Sequence, residues 1–132
     1  MPFAWVEKAV VLAIHDEQLA EHGGPAGLRD EARLESALAR PQHLLAYGEP
    51  DIADLAAAFA FGIAQGHAFV DGNKRTSLVV TELFLALNGC ELEADDAACV
   101  AVWTEIAAGT MSEPQLASWL REQMASVQAG GG

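Results

Sequence analysis

The sequence lacks the long uncharged apolar segment that a membrane-spanning helix requires. Nowhere in its 132 residues do about eighteen such residues follow one another, so no membrane span is expected. The stretch from Met1 to Ala13 contains Glu7 and Lys8 and has neither a basic leader nor a small-residue cleavage site, so no secretion signal is evident. These absences predict a cytoplasmic protein.

Cationic side chains are also few. Lys and Arg number 7 against 19 Asp and Glu, which gives a formal net charge of -12 at pH 7. Such a balance repels nucleic-acid phosphates and anionic membrane surfaces, so neither is an expected partner. It also makes Lys74 and Arg75 conspicuous, because two of the few cations stand side by side.

Cysteine and aromatic residues are scarce as well. Cys90 and Cys99 are the two cysteines, both in apolar, helix-like surroundings without metal-ligand spacing. Free thiols in a reducing cytoplasm are the preferred interpretation, and a disulfide is the alternative. Hydrophobic residues reach 52% with aromatics at only 7%, and alanine is frequent, which favours packed helices over a sheet.

Apolar periodicity predicts an all-α, single-domain bundle of about six helices over residues 1–128, followed by a disordered tail at 129–132. The first helix is expected from Trp5 to Glu21. The second begins after the N-cap Asp30 and is closed by Pro41, and a turn covers Tyr47 to Pro50.

The third and fourth predicted helices are the most apolar. The third begins after the N-cap Asp51 and ends near Gly66. The fourth ends at Asn88 and Gly89, and it is expected to be the central helix because it is apolar on nearly every side. An acidic connector, Glu91 to Asp96, leads to two further helices.

The last of these two helices begins at Ser112. Ser112 and Gln115 have the spacing of a capping box, with Pro114 in the first turn.

The loop between the third and fourth helices carries a concentrated set of polar residues, in the order His67-Ala68-Phe69-Val70-Asp71-Gly72-Asn73-Lys74-Arg75. Gly72 and Asn73 tolerate unusual backbone angles, so together with the first amides of the next helix they can form a nest that binds anions. The helix dipole and the two cations add positive charge. Arg75 can bind phosphate oxygens in bidentate fashion, whereas Lys74 cannot. The loop therefore predicts a phosphate site.

Two other loop residues suggest catalysis beside that phosphate. Asp71 is assigned to Mg²⁺, because a lone carboxylate next to phosphates is a common protein ligand of this ion. His67 is assigned as general base, since histidine titrates near neutrality and can accept a hydroxyl proton. Phe69 is expected to point into the core.

Each of these features has a simpler explanation when taken alone. A histidine at a helix end often caps the helix, Asp-Gly-Asn is an ordinary turn, and a Lys-Arg pair is usually solvated. Their combination within one loop of a strongly acidic chain favours a functional anion site.

At these residues the sequence resembles the Doc form of the Fic signature, through His67-x-Phe69-x-Asp71-Gly72-Asn73-Lys74-Arg75-Thr76. Further similarity covers about residues 10 to 92 and lies in the segments His15-Asp16, Gly23 to Asp30, Leu34 to Ala37, Pro41 and Phe84 to Gly89.

The resemblance implies an all-α Fic fold whose motif loop leads into a central buried helix, and transfer of part of ATP to a protein hydroxyl. In the family the motif histidine is the base, the acid holds Mg²⁺, and the following Asn, Lys and Arg bind phosphates. Those roles fall on His67, Asp71, Asn73, Lys74 and Arg75.

The resemblance also implies a biological role. Doc toxins are protein kinases that phosphorylate a threonine of elongation factor Tu and halt translation, and a Phd-type antitoxin neutralises them through a C-terminal segment that docks as a helix. The chain is therefore expected to be an ATP- and Mg²⁺-dependent serine/threonine kinase toxin with these two partners.

Departures from the adenylylating Fic pattern bear on which phosphate is attacked. Where that pattern has Pro, a second Gly and a second Arg, this sequence has Ala68, Lys74 and Leu78. Lys74 should crowd the nest for the terminal phosphates and Leu78 removes a clamp, which favours the γ-phosphate at the nucleophile. Gly72 is shared with the adenylylating branch and keeps adenylyl transfer as an alternative. A catalytically idle module that binds an antitoxin is a third hypothesis.

Some Fic proteins carry their own inhibitory helix, in which Ser or Thr is followed four residues later by Glu and then by Gly or Asn. The nearest segment here is Ser118 to Gln123, and Gln123 breaks the pattern. A separate antitoxin is therefore expected instead of self-inhibition.

Overall fold

A computed structural model describes residues 3–126 as six α-helices and one short antiparallel sheet. The elements in chain order are α1 Lys8–His22, α2 Glu31–Tyr47, α3 Ile52–Gly66, α4 Asn73–Leu87, β1 Cys90–Leu92, α5 Asp96–Ala108, α6 Glu113–Gln123 and β2 Met124–Ser126. The predicted six-helix bundle is confirmed. The predicted tail at 129–132 lies outside the described residues. Among residues 3–126, no helix has the length and apolarity needed to cross a membrane.

Helix α3 occupies the centre of the bundle. Nine of its 15 residues are buried, and it packs against α2, α4, α5 and α6. Small side chains allow this close packing: a β-carbon on Gly62 would lie 3.1 Å from the Cα atom of Ala37 on α2. The sequence predicts α4 at the centre, but α4 buries six residues along one face and leaves Leu87 48% exposed. Helix α3 is central because its many small alanine side chains allow neighbouring helices to pack closely on several sides.

Two helix boundaries differ from those predicted. Helix α2 does not stop at Pro41 but continues to Tyr47, with Pro41 buried inside it. Packing against α3 offsets the backbone hydrogen bond that proline removes. Helix α1 begins at Lys8, and Trp5 lies in the non-helical segment before it, where its ring packs against Phe84 with centroids 5.9 Å apart.

Three of the predicted helix starts, those of α2, α3 and α6, are confirmed by their caps. The side chains of Asp30, Asp51 and Ser112 each accept a hydrogen bond from the backbone amide three residues further on. The caps at Asp51 and Ser112 are complete capping boxes, in which the third residue bonds back to the cap amide. These starts are predictable because a cap involves only neighbouring residues.

The two strands were not predicted. Leu92 pairs with Met124 and Cys90 with Ser126, so part of the predicted acidic connector is strand β1. A three-residue strand carries too little alternation to be recognised in a sequence. Cys90 and Cys99 are both free thiols, as expected.

A buried hydrogen-bond network joins α3, α4 and α5 at Ser77. The hydroxyl of Ser77 donates to the carbonyl of Ala60 at 2.7 Å and accepts from Nε1 of Trp103 at 2.9 Å. We expect Ser77→Ala to lower the free energy of unfolding by about 1–3 kcal/mol, because the indole N–H stays buried without an acceptor. Urea titration measures this, with the exposed Ser36→Ala as control. Equal losses in the two variants would contradict the network's role.

An ion-pair network ties α6 to the start of α3. Arg121 donates to the two carboxylate oxygens of Asp51 at 2.7 and 3.1 Å and to Asp54 at 3.1 Å. Hydrogen bonding to Arg121 is the main cause that lowers the pKa of Asp51 from 3.8 to about 2. Because the folded-state pKa is depressed, this stabilisation is complete above pH 3.8 and is lost as the pH falls through about 2.

The lowered pKa of Asp51 predicts a testable pH dependence of stability. At pH 5 to 7 we expect Arg121→Gln to be less stable than the wild type by no more than about 1 kcal/mol, since both partners are half exposed. The difference should shrink between about pH 4 and pH 2, as Asp51 takes up a proton. Urea titrations of both proteins across this range measure it. A difference that stays constant down to pH 2 would contradict the pairing.

Candidate functional site

The motif loop joins the C-terminus of α3 to the N-terminus of α4. His67 is the C-cap of α3 and adopts the left-handed conformation, with φ 51° and ψ 40°. Within residues 3–126 it is the one non-glycine residue with positive φ, and its side chain is exposed. Such a conformation costs about 1–2 kcal/mol. Because this conformation is unfavourable and the His67 side chain is exposed, the histidine at this position is better explained by function than by stability.

The first turn of α4 is open to an anion. Its N-cap, Gly72, has φ 78° and no side chain to cap the helix, and no acidic residue lies in the first turn. Within the described residues, the backbone amides of Asn73, Lys74 and Arg75 have no hydrogen-bond acceptor. These N–H groups and the helix dipole are the features with which helix N-termini bind phosphate.

Lys74 and Arg75 are exposed, and in the described part of the chain they are the cations whose side chains have no protein partner. The other five each contact an acceptor: Lys8 pairs with Glu31 and Glu35, Arg29 donates to the carbonyl of His67, Arg33 pairs with Asp30, Arg40 with Glu113, and Arg121 with Asp51 and Asp54. Cations at a helix N-terminus oppose the helix dipole. Two cations without a partner among the described residues, at this unfavourable place in a chain of net charge -12, indicate a site kept for an anion.

Asn73 shapes the loop from within. Its side-chain oxygen accepts from the amide of Phe69 at 3.0 Å, and its side-chain nitrogen donates to the carbonyl of Phe69 at 3.0 Å. The ring of Phe69 is 1% exposed, so its predicted core position is confirmed. Because these two bonds hold the Asn73 side chain against the loop, its free backbone amide is the group that faces the anion site together with those of Lys74 and Arg75.

Asp71 precedes the anion site, and its carboxylate is exposed. One carboxylate oxygen accepts from the amide of Gly72 at 2.8 Å. The other lies against Gly24, where a β-carbon would come within 2.4 Å of it. The carboxylate is thus held between its own loop and the segment after α1.

The donor set at Asp71 decides which metal fits. Within residues 3–126 there is no group of three or more His, Cys, Asp or Glu side chains able to hold a metal. A metal at Asp71 must therefore take most of its ligands from elsewhere. Mg²⁺ fits this arrangement, because it is commonly held by one or two carboxylates together with substrate phosphates and water.

The segment 23–30 braces the motif loop from outside. Leu28 lies opposite Phe69 in an isolated antiparallel bridge. The backbone hydrogen bonds of this brace run from Val70 to Gly27 at 3.1 Å, from Arg29 to Ala68 at 2.7 Å and from Asp30 to Ala68 at 3.0 Å. The backbone of residues 68–70 is therefore fixed between two segments.

His15 is a site residue to which sequence reasoning gave no chemical role. It lies on α1, is 2% exposed and stacks on Phe69 with ring centroids 3.7 Å apart and planes at 11°. Its Nε2 atom lies 2.7 Å from the carbonyl oxygen of Asp71. The available signal was the similarity at His15-Asp16, but no local pattern reveals a contact with a loop so distant in sequence.

A large groove lies beside the motif and not on it. Its volume is about 1230 Å³, and it follows α2 from Asp30 to Tyr47, with Gly62 and Gly66 of α3 on its other side. None of residues 67–75 lines it; it approaches the site at Gly66, the residue before His67, and at Asp30, whose amide bonds to the carbonyl of Ala68. The candidate phosphate site is therefore an exposed helix end next to this groove.

Comparison with known proteins fits this geometry. The model of the Fic/DOC family matches residues 5–85, which include α1, the brace and the motif loop. The chain is similar to the protein kinase doc of Escherichia phage P1, at 33% identity over 119 residues, 89% of this chain and 94% of the phage protein. It is also similar to the toxin Doc of Mycolicibacterium smegmatis, at 45% identity over 76 residues, 55% of this chain and 58% of that protein.

Proposed function

The chain belongs to the Fic/DOC family, and from this premise we propose that it is the toxin of a toxin-antitoxin pair that transfers the γ-phosphoryl group of Mg·ATP to a serine or threonine hydroxyl of a protein. The observation that carries the proposal is the pair of cations Lys74 and Arg75, which have no side-chain partner among residues 3–126 and lie on an uncapped helix start. The exposed His67 stands at the other end of the same short loop.

The proposed chemistry follows from where these groups lie. The amides of Asn73, Lys74 and Arg75 and the two cationic side chains hold phosphate oxygens and offset their charge. His67 accepts the proton of the acceptor hydroxyl as its oxygen bonds to the γ-phosphorus, and the bond from that phosphorus to ADP breaks. Asp71 is the residue that would hold Mg²⁺, which would further neutralise phosphate charge when bound.

Two residues favour phosphoryl over adenylyl transfer. Lys74 occupies the place of a glycine in the adenylylating pattern, so a side chain stands in the nest used there for the terminal phosphates. Leu78, in place of a second arginine, packs against the core and supplies no clamp. The name of the phage relative, protein kinase doc, agrees with this choice. Gly72 keeps adenylyl transfer as the second candidate.

We extend the proposal to the partners. A net charge of -12 disfavours tRNA or ribosomal RNA as the target, so a protein of the translation machinery is the better candidate, and we propose elongation factor Tu in the cytoplasm. We further propose a Phd-type antitoxin whose C-terminal segment docks as a helix. A domain that only binds such an antitoxin, without catalysis, is the remaining alternative.

Labelled nucleotide distinguishes the three functions. The purified protein is incubated with elongation factor Tu, Mg²⁺ and ATP labelled at either the α- or the γ-phosphate, and the factor is then analysed by intact mass. Transfer of γ-label with the mass of one phosphate supports the kinase. Transfer of α-label with the mass of a nucleotide supports adenylylation. No transfer, with growth arrest retained in His67→Ala cells, would support the binding module.

A further inference from the structure

The ring of His15 lies against three residues of the motif loop. It stacks on Phe69 and lies 2.7 Å from the carbonyl oxygen of Asp71. It also faces Gly72, where a β-carbon would lie 3.5 Å from both Cδ2 and Nε2 of the ring. The buried ring of His15 on α1 thus packs beneath the turn that leads into α4.

The chemistry of this contact fixes the tautomer of His15. A carbonyl oxygen only accepts hydrogen bonds, so Nε2 carries the proton and donates it to Asp71. The described residues contain no other donor to this carbonyl oxygen. Its hydrogen bonding in the protein therefore depends on His15.

The hydrogen bond from His15 to the Asp71 carbonyl fixes the orientation of the whole peptide group between Asp71 and Gly72. The C=O of Asp71 and the N–H of Gly72 belong to one planar peptide group, so fixing the oxygen also fixes the direction of the N–H. That N–H donates to the Asp71 carboxylate at 2.8 Å. The same peptide leads into the left-handed Gly72, with φ 78°, and hence into the amides that open α4.

We propose that His15 is a positioning residue of the transfer site, which orients the Asp71 carboxylate through the peptide group between Asp71 and Gly72. This inference rests on the proposed function for its kinetic consequences but not for its geometry. His15 contacts neither nucleotide nor acceptor. Its effect falls on the group that holds Mg²⁺ and not on the cations that hold phosphate.

Two substitutions separate the hydrogen bond from the packing. His15→Phe keeps an aromatic ring of similar size on Phe69 but has no N–H, whereas His15→Gln loses the stack and offers an amide donor. We expect His15→Phe to lower kcat about ten- to a hundredfold, as for other groups that support a metal ligand. The KM for ATP should change less than about threefold, because Lys74 and Arg75 are untouched. His15→Gln should recover part of kcat.

A second measurement does not depend on activity. In ¹⁵N–¹H NMR spectra we expect a slowly exchanging Nε2–H signal from His15 in the wild type, and a shifted Gly72 amide signal in His15→Phe that moves back in His15→Gln. Val11→Ala, also buried on α1, is the matched control: it should lower stability without moving the Gly72 signal or kcat.

The outcomes are separable. An unshifted Gly72 signal together with kcat within twofold of the wild type in His15→Phe would overturn the proposal. If His15→Phe fails to fold, absence of the wild-type Nε2–H signal or unreduced kcat in a folded His15→Ala would do so. If the wild type transfers no phosphate at all, the kinase proposal fails, while the NMR shifts still decide the role of His15.

Discussion

Replacing His67 with alanine is expected to reduce phosphoryl transfer about a hundredfold to ten-thousandfold, the range typical for loss of a general base. The fold should survive. The His67 side chain is exposed and has no hydrogen bond within the described residues. The backbone carbonyl of His67 accepts a hydrogen bond from Arg29 at 3.4 Å, and this bond remains in the alanine variant. The measurement is initial rate with saturating ATP, beside a thermal unfolding curve.

The left-handed backbone of His67 makes the test sharper. His67→Asn keeps a polar side chain that tolerates this conformation but has no basic nitrogen, so it should be as inactive as alanine. His67→Gly removes the cost of the positive φ and should raise stability by about 1 kcal/mol while also abolishing transfer. His43→Ala, an exposed histidine on α2, is the control and should stay active. Full activity in His67→Asn would rule out the base.

The parts of the fold predictable from sequence are those specified locally. Asp51 and Ser112 bond to amides three residues away, so their helix starts could be read directly. The continuation of α2 through Pro41 could not, because it depends on burial against α3. The central position of α3 was missed for the same reason: apolar content alone does not tell which of two helices has more neighbours.

The candidate site divides in the same way. Residues from His67 to Arg75 are contiguous, so their combination was visible in the sequence. What orients them comes from elsewhere in the chain: His15 bonds to Asp71, and Gly24 leaves room for its carboxylate. The sequence also could not show that Lys74 and Arg75 have no side-chain partner among residues 3–126, because this requires knowing where every acidic side chain of that range lies.

Removing either cation should lower activity without lowering stability. We expect Arg75→Ala and Lys74→Ala each to reduce kcat/KM for ATP about a hundredfold or more, comparable to loss of one donor to transition-state charge. Neither side chain has a partner to lose within the described residues. Both lie in the first turn of α4, where positive charge opposes the helix dipole, so each substitution should leave the free energy of unfolding unchanged or raise it by about 0.3–1 kcal/mol.

Arg40 is a control for which we expect the opposite result, a loss of stability without a loss of activity. Arg40 pairs with Glu113 at 2.6 Å between α2 and α6, so Arg40→Ala should cost up to about 1 kcal/mol of stability and leave kcat/KM unchanged. Arg75→Lys keeps the charge but not the bidentate geometry and should fall between wild type and alanine. Urea titrations and ATP kinetics on all four variants test this. Arg75→Ala could instead behave like Arg40→Ala, with unchanged kcat/KM and a lower free energy of unfolding. In that case the cations of α4 would be structural and the phosphate site would lie elsewhere.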